Sequence, residues 1–455
     1  MKIDSVVAEI GSTTTTVSAF DNLGTDDAKF LGQGQAPTTV LEGDVRVGLR
    51  AAVKDLETRL GIEKLDYFEM LATSSAAGGL KMTVHGLVHD MTARAANEAA
   101  LGAGAIVHNV TAGKMRRGEI AQLEATKPNI ILLAGGVDHG ERDTVLDNAE
   151  KIAALDMPIP VIYAGNVQNH DEIRLIFSGT RFQLRVVENV YPKIDLLNVD
   201  PARKAIQEAF EEHIVHAPGM EHVRELVEGP IVPTPGAVMT AAELLYESLG
   251  DLVVFDVGGA TSDLHSVTTG DDEISRISIS PEPQAKRTVE GDLGVYVNMK
   301  NVLEMIGHDK FSRSLGIDVS ELKVLIDNHQ PIPKSPDQTK FTEELARYCV
   351  LRAVQRHAGT IRGIYSLSGK RDIAEGKDLT AVRYVIGTGG ALTQLPNRIE
   401  IMKEISKSDP SGSRLIPRED ADVLVDRKNI LAPLGVLSQR HPKAALKLAR
   451  ESLGM

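Results

Sequence analysis

A chain of 455 residues, 42% hydrophobic and 25% charged, is too long for one ordinary core and too apolar to be disordered, so two or three globular domains are expected. Its net charge of −13 argues against sequence-independent nucleic-acid binding and against anionic membrane surfaces. The single cysteine, Cys349, rules out an intrachain disulfide and a cysteine-based zinc cage.

Residues 3–20 predict a strand, a turn and a strand. Val6, Val7 and Ala8 lead in, Gly11 turns, and TVSAF leads out. Residues 45–60 have apolar spacings near three and four and predict a helix. YFEMLATSS predicts a strand, AAGGLKMTVHGLV carries no assignment, and MTARAANEAALGAGA predicts a helix. Over residues 104–200, AIVHNVTAG, NIILLAGGVD, PVIYAGNV and QLRVVENV read as short strands alternating with helical stretches. That alternation predicts parallel βαβ units. Gly135–Gly136 and Gly165–Asn166 fall at strand ends, where ligands gather in such sheets; the reading preferred here is tight turns. The basic run KMRRG at 114–118 reads as a solvated turn.

Residues 201–245 are mostly helical, with a Pro/Gly break at EGPIVPTPGAVM that marks a domain boundary. A second strand, turn and strand is predicted at 252–267, and helices fill roughly 298–368. Cys349 lies among them in ELARYCVLRAV, whose helical spacing predicts a buried, inert thiol. VRYVIGTGGALTQLP then predicts a strand, a glycine turn and a helix start, and DVLVD, NILAPLGVLSQ and a terminal helix close the chain. A charged leader with an apolar stretch is absent, as is any run of about 18 apolar residues, so a soluble cytoplasmic protein is expected.

Two stretches carry the same pattern: EIGSTTTTVS at 9–18 and VVFDVGGATSDL at 253–264. Each is an apolar strand, an acid, a glycine turn and hydroxyl residues. A nucleotide's polyanion needs close backbone approach and many donors. Glycine permits the approach, and Ser and Thr hydroxyls add donors. An acid at the strand end suits a hydrated Mg²⁺. Gly11, Ser12, Thr13 and Thr14 are therefore candidates to grip phosphates from one side, and Gly258, Gly259, Thr261 and Ser262 from the other. Glu9 and Asp256 are the candidate metal carboxylates. Gly387, Gly389 and Gly390 in VIGTGGAL would let an adenosine approach the backbone. That run lacks Gly-x-Gly-x-x-Gly spacing, and no Gly-Lys-Ser/Thr occurs, so neither a dinucleotide fingerprint nor a P-loop is present.

In KRTVEGDLGV, Glu290 and Asp292 follow Arg287. A carboxylate here would polarise an attacking water or serve the metal; the alternative is a charged loop. His85 and His89 are four apart, but a glycine intervenes and no zincin glutamate is present, so a metal site is set aside. His213, His216 and His222 read as a solvated helix end. Nothing matches Gly-x-Ser-x-Gly.

These pieces, in this order, resemble the actin-like ATPase superfamily of sugar kinases, actin and chaperone ATPases. LATSSAAGGLKM (71–82) and LAPLGVLSQ (431–439) resemble its two connecting helix regions. A closer likeness comes from IGSTTTTV, SSAAGGLKMTVHGL, LLAGGVDHGERD, VIYAGNV, LNVDPARKAI, DVGGATSDLHSV, KRTVEGDLG and GTGGALTQLP together. As a set, spanning nearly the whole chain, they are similar to the L-type accessory proteins of glutamate mutase, a family akin to the ATPase subunits of diol and glycerol dehydratase reactivases.

The resemblance implies an α/β fold with two actin-like (ribonuclease H-like) lobes, residues 1–92 and 246–455, and a large partner-facing α/β insertion at 93–245. It implies ATP and Mg²⁺ as cofactors, with Asp256 and Glu290 catalytic. The expected function is a chaperone-like reactivating factor that hydrolyses ATP and releases damaged cobalamin from an adenosylcobalamin-dependent mutase. No nucleic-acid or membrane partner is expected, and a homo-oligomer stays open. Glu9 departs from the superfamily, where most members have Asp. That departure keeps a non-hydrolysing nucleotide-dependent binding module as an alternative, beside a small-molecule kinase using Asp263 or Glu290 as base and a hydantoinase-like amidohydrolase. The insertion lacks the Asp-x-His-x-x-Gly cobalamin motif.

Overall fold

The computed structural model describes residues 2–39, 42–75, 80–103, 105–155, 157–194, 196–214, 220, 222–229, 231–279, 282–366, 369–409 and 411–455. The chain divides into two units: Met1–Thr38 with Leu49–Leu71 and Ala237–Met455, and Thr39–Gly48 with Ala72–Gly236.

The first unit opens with strands β1 (Lys2–Ile10), β2 (Thr14–Asp21) and β3 (Lys29–Pro37). β1 and β2 form the predicted hairpin, antiparallel, with Ile10 opposite Thr15 and Ser5 opposite Phe20. Their Val, Ile and Thr residues suit a pleated ladder, and Val6, Val7, Val17 and Phe20 are buried. β3 pairs antiparallel with β2. The predicted helix is Val45–Leu60. It comes so close to β3 that a Cβ on Gly34 would lie 2.2 Å from the Ala52 carbonyl oxygen. β4 (Asp66–Ser74) lies beside β1 and continues from the first unit into the second.

The sheet of the second unit contains β5 (Leu80–Gly86), β6 (Ala105–Ala112), β7 (Ile130–Leu133), β8 (Pro160–Tyr163) and β9 (Gln183–Val186). Its order is β6-β5-β7-β8-β9 and every pairing is parallel. Parallel neighbours need crossovers, and Arg94–Gly102, Arg117–Thr126, Asp143–Ala153 and His170–Phe177 supply them. Every residue of β7 and β8 is buried, as in a sheet covered on both faces. Leu123, Val145, Ile152, Ile173 and Phe177 belong to that core. Lys114, Arg116 and Arg117 are exposed at the start of the second crossover helix.

β5 is the strand that sequence pattern did not assign. Its LKMTVHG mixes polar and apolar residues: Lys81 is exposed, whereas Thr83 and His85 are buried and satisfied internally. His85 is fully buried, with ring nitrogens 2.7 Å from Thr111 Oγ1 and 3.1 Å from Thr83 Oγ1. Burial pushes its pKa down to about 4. His89 lies in the π-helical turn His89–Ala93, so the two histidines do not share a helix face. His216 lies outside the described residues. β10 (Ile231–Pro233) pairs parallel with Ala72–Ser74. No helix occupies 71–82 among the described residues: the segment ends β4 and begins β5, and 76–79 lie outside those described.

The remaining strands are β11 (Leu252–Val257), β12 (Ser262–Val267), β13 (Ala285–Glu290), the hairpin β14 (Thr360–Ser366) and β15 (Gly369–Glu375), β16 (Tyr384–Thr388) and β17 (Asp422–Val425). β11, β12 and β13 form an antiparallel meander, and β16 and β17 add parallel to β11. The order β13-β12-β11-β16-β17 repeats β3-β2-β1-β4-β10 strand for strand. The α/β class and the doubled plan expected of an actin-like fold are both present. Where the first copy has Val45–Leu60 between its third and fourth strands, the second has, among the described residues, four helices, ending in the long helix Pro336–His357. Phe341, Leu345 and Val350 of that helix share a core with Phe255 and Leu264. Cys349 is in the same core, and burial pushes its thiol up to about 12. Among the described residues, no helix is long and apolar enough to cross a membrane.

Candidate functional site

The two glycine turns are the same structure. In the first, Gly11 N–H donates to the Thr14 carbonyl at 3.0 Å; in the second, Gly258 N–H donates to the Thr261 carbonyl at 2.9 Å. Each turn is four residues long, and each puts an acid one residue before the strand end: Glu9 is opposite Thr16, and Asp256 is opposite Asp263. Both turns lie in the first unit, and they face one another. A Cβ on Gly259 would lie 3.7 Å from Thr13 Cγ2 and Oγ1.

Both turns are held from behind. Thr38, just past β3, donates its N–H to the Thr13 carbonyl at 3.0 Å and its hydroxyl to the Gly11 carbonyl at 2.9 Å. In the second turn, Val295 N–H reaches the Gly258 carbonyl, and Tyr296 and Val297 N–H both reach the Gly259 carbonyl. Asn298 Nδ2 donates to the Ala260 carbonyl at 2.6 Å. The carbonyl oxygens are therefore occupied. Among the described residues, the N–H groups of Thr13, Gly259, Ala260 and Thr261 have no partner. Successive unused backbone donors in a tight turn form an anion-binding concavity.

Beside the turns sits a group of carboxylates. Glu9 is pushed up to about 8, by burial first and then by Asp256 and Asp426. Asp256 is pushed up to about 6 by burial and by Asp426. Asp263 is buried and pushed up to about 7; burial leads, Arg287 opposes it, and Asp256 and Glu290 add to it. Its Oδ1 has no hydrogen-bond partner, while Ser262 is buried beside the Cys349 thiol. Gathered acids with raised pKa values are under-neutralised, and a divalent cation is the natural counter-charge. Among the described residues, no group of three or more His, Cys, Asp or Glu forms a metal cage. Glu9 and Asp256, each one residue before its strand end, are donors of the kind a Mg²⁺ that keeps most of its waters meets.

Asp426, which sequence reasoning did not single out, ties this region together. Its Oδ2 accepts from Thr388 Oγ1 at 2.9 Å and from Ile430 and Leu431 N–H at 2.8 and 2.9 Å, and its Oδ1 accepts from Ser452 Oγ. Burial raises its pKa while these donors pull it down. A signal was available: VLVD repeats the pattern of an apolar strand ending in an acid.

The three glycines after β16 have different surroundings. Gly389, at φ +79°, abuts the second turn, where a Cβ would lie 2.3 Å from Asp256 Oδ1. Gly387 faces Met402 and Leu392 in the core, and only Gly390 faces open space. Glu290, at the end of β13, is held by Arg356. Arg356 Nη1 donates to Glu290 Oε2 and to Asp292 Oδ1 at 2.7 Å, and Nη2 donates to Asp292 Oδ2 at 2.8 Å. Burial raises the Glu290 pKa against that pairing, whereas Asp292 is held below the usual range by Arg356.

A family model described as MutL protein matches residues 5–453 of the chain. Protein MutL of Clostridium tetanomorphum is 36% identical over 460 residues, covering 98% of each chain. Among solved structures, the chain is similar to diol dehydratase-reactivating factor in nucleotide-free form, at 11% identity and a TM-score of 0.41 over 97% of this chain and 100% of that one. It is also similar to a glycerol dehydratase reactivase, at 12% identity and a TM-score of 0.33 over 95% and 100%.

Proposed function

The chain belongs to the MutL protein family, and on that footing we propose that it is an ATP-dependent accessory protein of an adenosylcobalamin-dependent mutase of the glutamate mutase type. It binds ATP with Mg²⁺ at the doubled turn, hydrolyses it, and uses the cycle to free the mutase of damaged cobalamin. One observation carries this reading: two matching turns face each other with unused N–H groups beside under-neutralised carboxylates.

In this reading, N–H groups of Thr13, Gly259, Ala260 and Thr261 take phosphate oxygens, and the hydroxyls of Ser12, Thr13, Thr14, Thr261 and Ser262 add donors. Glu9 and Asp256 hold the water shell of Mg²⁺, which when bound neutralises phosphate charge. The backbone at Gly389 and Gly390 borders the nucleoside, and Gly387 lets β16 pack closely behind it. Asp263, with an unpartnered oxygen and a pKa near 7, accepts the proton of the attacking water. Glu290, clamped by Arg356, fixes the 291–298 segment that braces the second turn. For the cycle to act on a mutase, the mutase must bind the ATP-loaded and ATP-free states with different affinities.

Calorimetry of ATP with Mg²⁺ on wild type and Asp256→Ala, followed by phosphate release, tests this. Binding that is sharply weakened in the variant, with phosphate released by the wild type, is expected. No binding by the wild type would reduce both turns to inherited scaffold. A second reading, a nucleotide sensor without turnover, draws on Glu9 in place of Asp and on its pKa of about 8; binding without phosphate release would select it.

A further inference from the structure

The helix Pro336–His357 carries Arg356 and, on a neighbouring stripe, a second feature. Glu344, Arg347, Tyr348, Leu351, Arg352 and Gln355 recur at spacings of three and four, so they share one face. With Ile306 and Lys310 from two of the short helices before it, that face lines a cleft of about 320 Å³. The volume falls at the small end of the range for ligand pockets.

Its charges are unbalanced. The one acid, Glu344, is taken by Arg347, which also reaches Glu404. Lys310 and Arg352 enter no ion pair among the described residues; Arg352 contacts Gln355 Oε1 at 3.4 Å and acts at longer range on Glu290 and Asp292, which Arg356 already holds. In a chain of net charge −13, a concave site with two cations outside any ion pair is unexpected as mere solvated surface. Its apolar lining of Ile306, Tyr348 and Leu351 would be wasted on an inorganic anion, and its volume suits a small molecule.

We propose that this cleft binds a small organic anion, a carboxylate or phosphate on an apolar body. Arg352 and Lys310 take the charge, and Ile306, Tyr348 and Leu351 take the body. The site is separate from the doubled turn and goes beyond the nucleotide reading.

The test is ligand-observed NMR and calorimetry on the full chain with hexanoate and phenyl phosphate; hexanol and inorganic phosphate serve as controls lacking the charge or the body. Both organic anions should bind, the stronger one naming the head group. Affinity should fall at least about tenfold in Lys310→Ala/Arg352→Ala, the loss expected when charged hydrogen bonds are removed. It should survive in Lys310→Arg/Arg352→Lys and in Asp256→Ala, so loss of ATP binding and loss of this site are distinguishable. The proposal falls if neither organic anion binds at millimolar concentration, if hexanol binds as well as hexanoate, or if the double alanine variant binds them unchanged.

Discussion

Glu9 and Asp256 occupy matching positions on matching hairpins, yet Glu9 is pushed to about 8 and Asp256 only to about 6. Both shifts are upward, so the folded chain keeps protons that the unfolded chain releases. For Glu9 the window runs from the ordinary value of 4.5 to about 8. Below it both states are protonated; within it the stability of the nucleotide-free protein falls as pH rises. Melting temperatures from pH 5 to 8 should show that decline, and Glu9→Gln should flatten much of it. An unaltered slope in the variant would mean that Glu9 ionises freely. At Gly389, a side chain is excluded twice, by φ +79° and by the 2.3 Å approach to Asp256 Oδ1. Gly389→Ala should cost about 1–3 kcal/mol and weaken ATP binding by displacing Asp256. Gly390→Ala, facing open space, should leave the chemical denaturation midpoint almost unmoved. The turns were legible in sequence because glycines, hydroxyls and a strand-end acid act within a few consecutive residues. The role of Asp426 was not, although its strand-end position was: it satisfies groups at 388, 430, 431 and 452, and only the folded chain brings these together. The packing of Gly387 against Met402 was hidden for the same reason.

The long helix Pro336–His357 and the end of β13 are joined through one guanidinium. Glu290 is buried, and Arg356 is its counter-charge. Removing that partner leaves a buried carboxylate unpaired. Arg356→Ala should therefore cost about 2 kcal/mol by denaturant titration, and Arg356→Ala/Glu290→Gln should recover part of the loss. The ion pair Arg362–Glu375 on the β14–β15 hairpin, with both side chains at least half exposed, should contribute less than about 1 kcal/mol. Equal losses from Arg356→Ala and Arg362→Ala would show that Glu290 is better solvated than its burial indicates. Pattern readability also differed by element. β7 and β8 are wholly apolar and were legible, because a strand covered on both faces needs no alternation. β5, next to the edge strand β6, was not: its His85 and Thr83 are buried but hydrogen-bonded to one another, and His85 also to Thr111, a pairing that periodicity does not report. Since β5 belongs to the second unit's sheet, that unit's fold begins ahead of residue 93.

At the scale of the molecule, the doubled sheet order shows where the chain was extended. The first copy leaves β4 at Ser74 and returns on β10 at Ile231; the second makes the equivalent passage from β16 to β17 through residues 389–421. What lies between β4 and β10 has its own parallel sheet and its own core, whereas Glu9, Asp256, Asp263 and Asp426 all belong to the first unit. Residues 75–230 should therefore be dispensable for nucleotide binding and needed for the mutase. The replacement segment cannot be a tight turn. β4 and β10 are parallel, so the chain must travel back along the sheet, which takes a dozen or more residues and usually a helix. A variant carrying the 389–421 passage in place of 75–230 meets that requirement. It should unfold cooperatively and bind ATP with near wild-type affinity, yet fail to restore an inactivated mutase. If it folds but loses ATP, the second unit takes part in the nucleotide site. If it still restores the mutase, the partner surface lies in the first unit, and the inserted sheet has some other role.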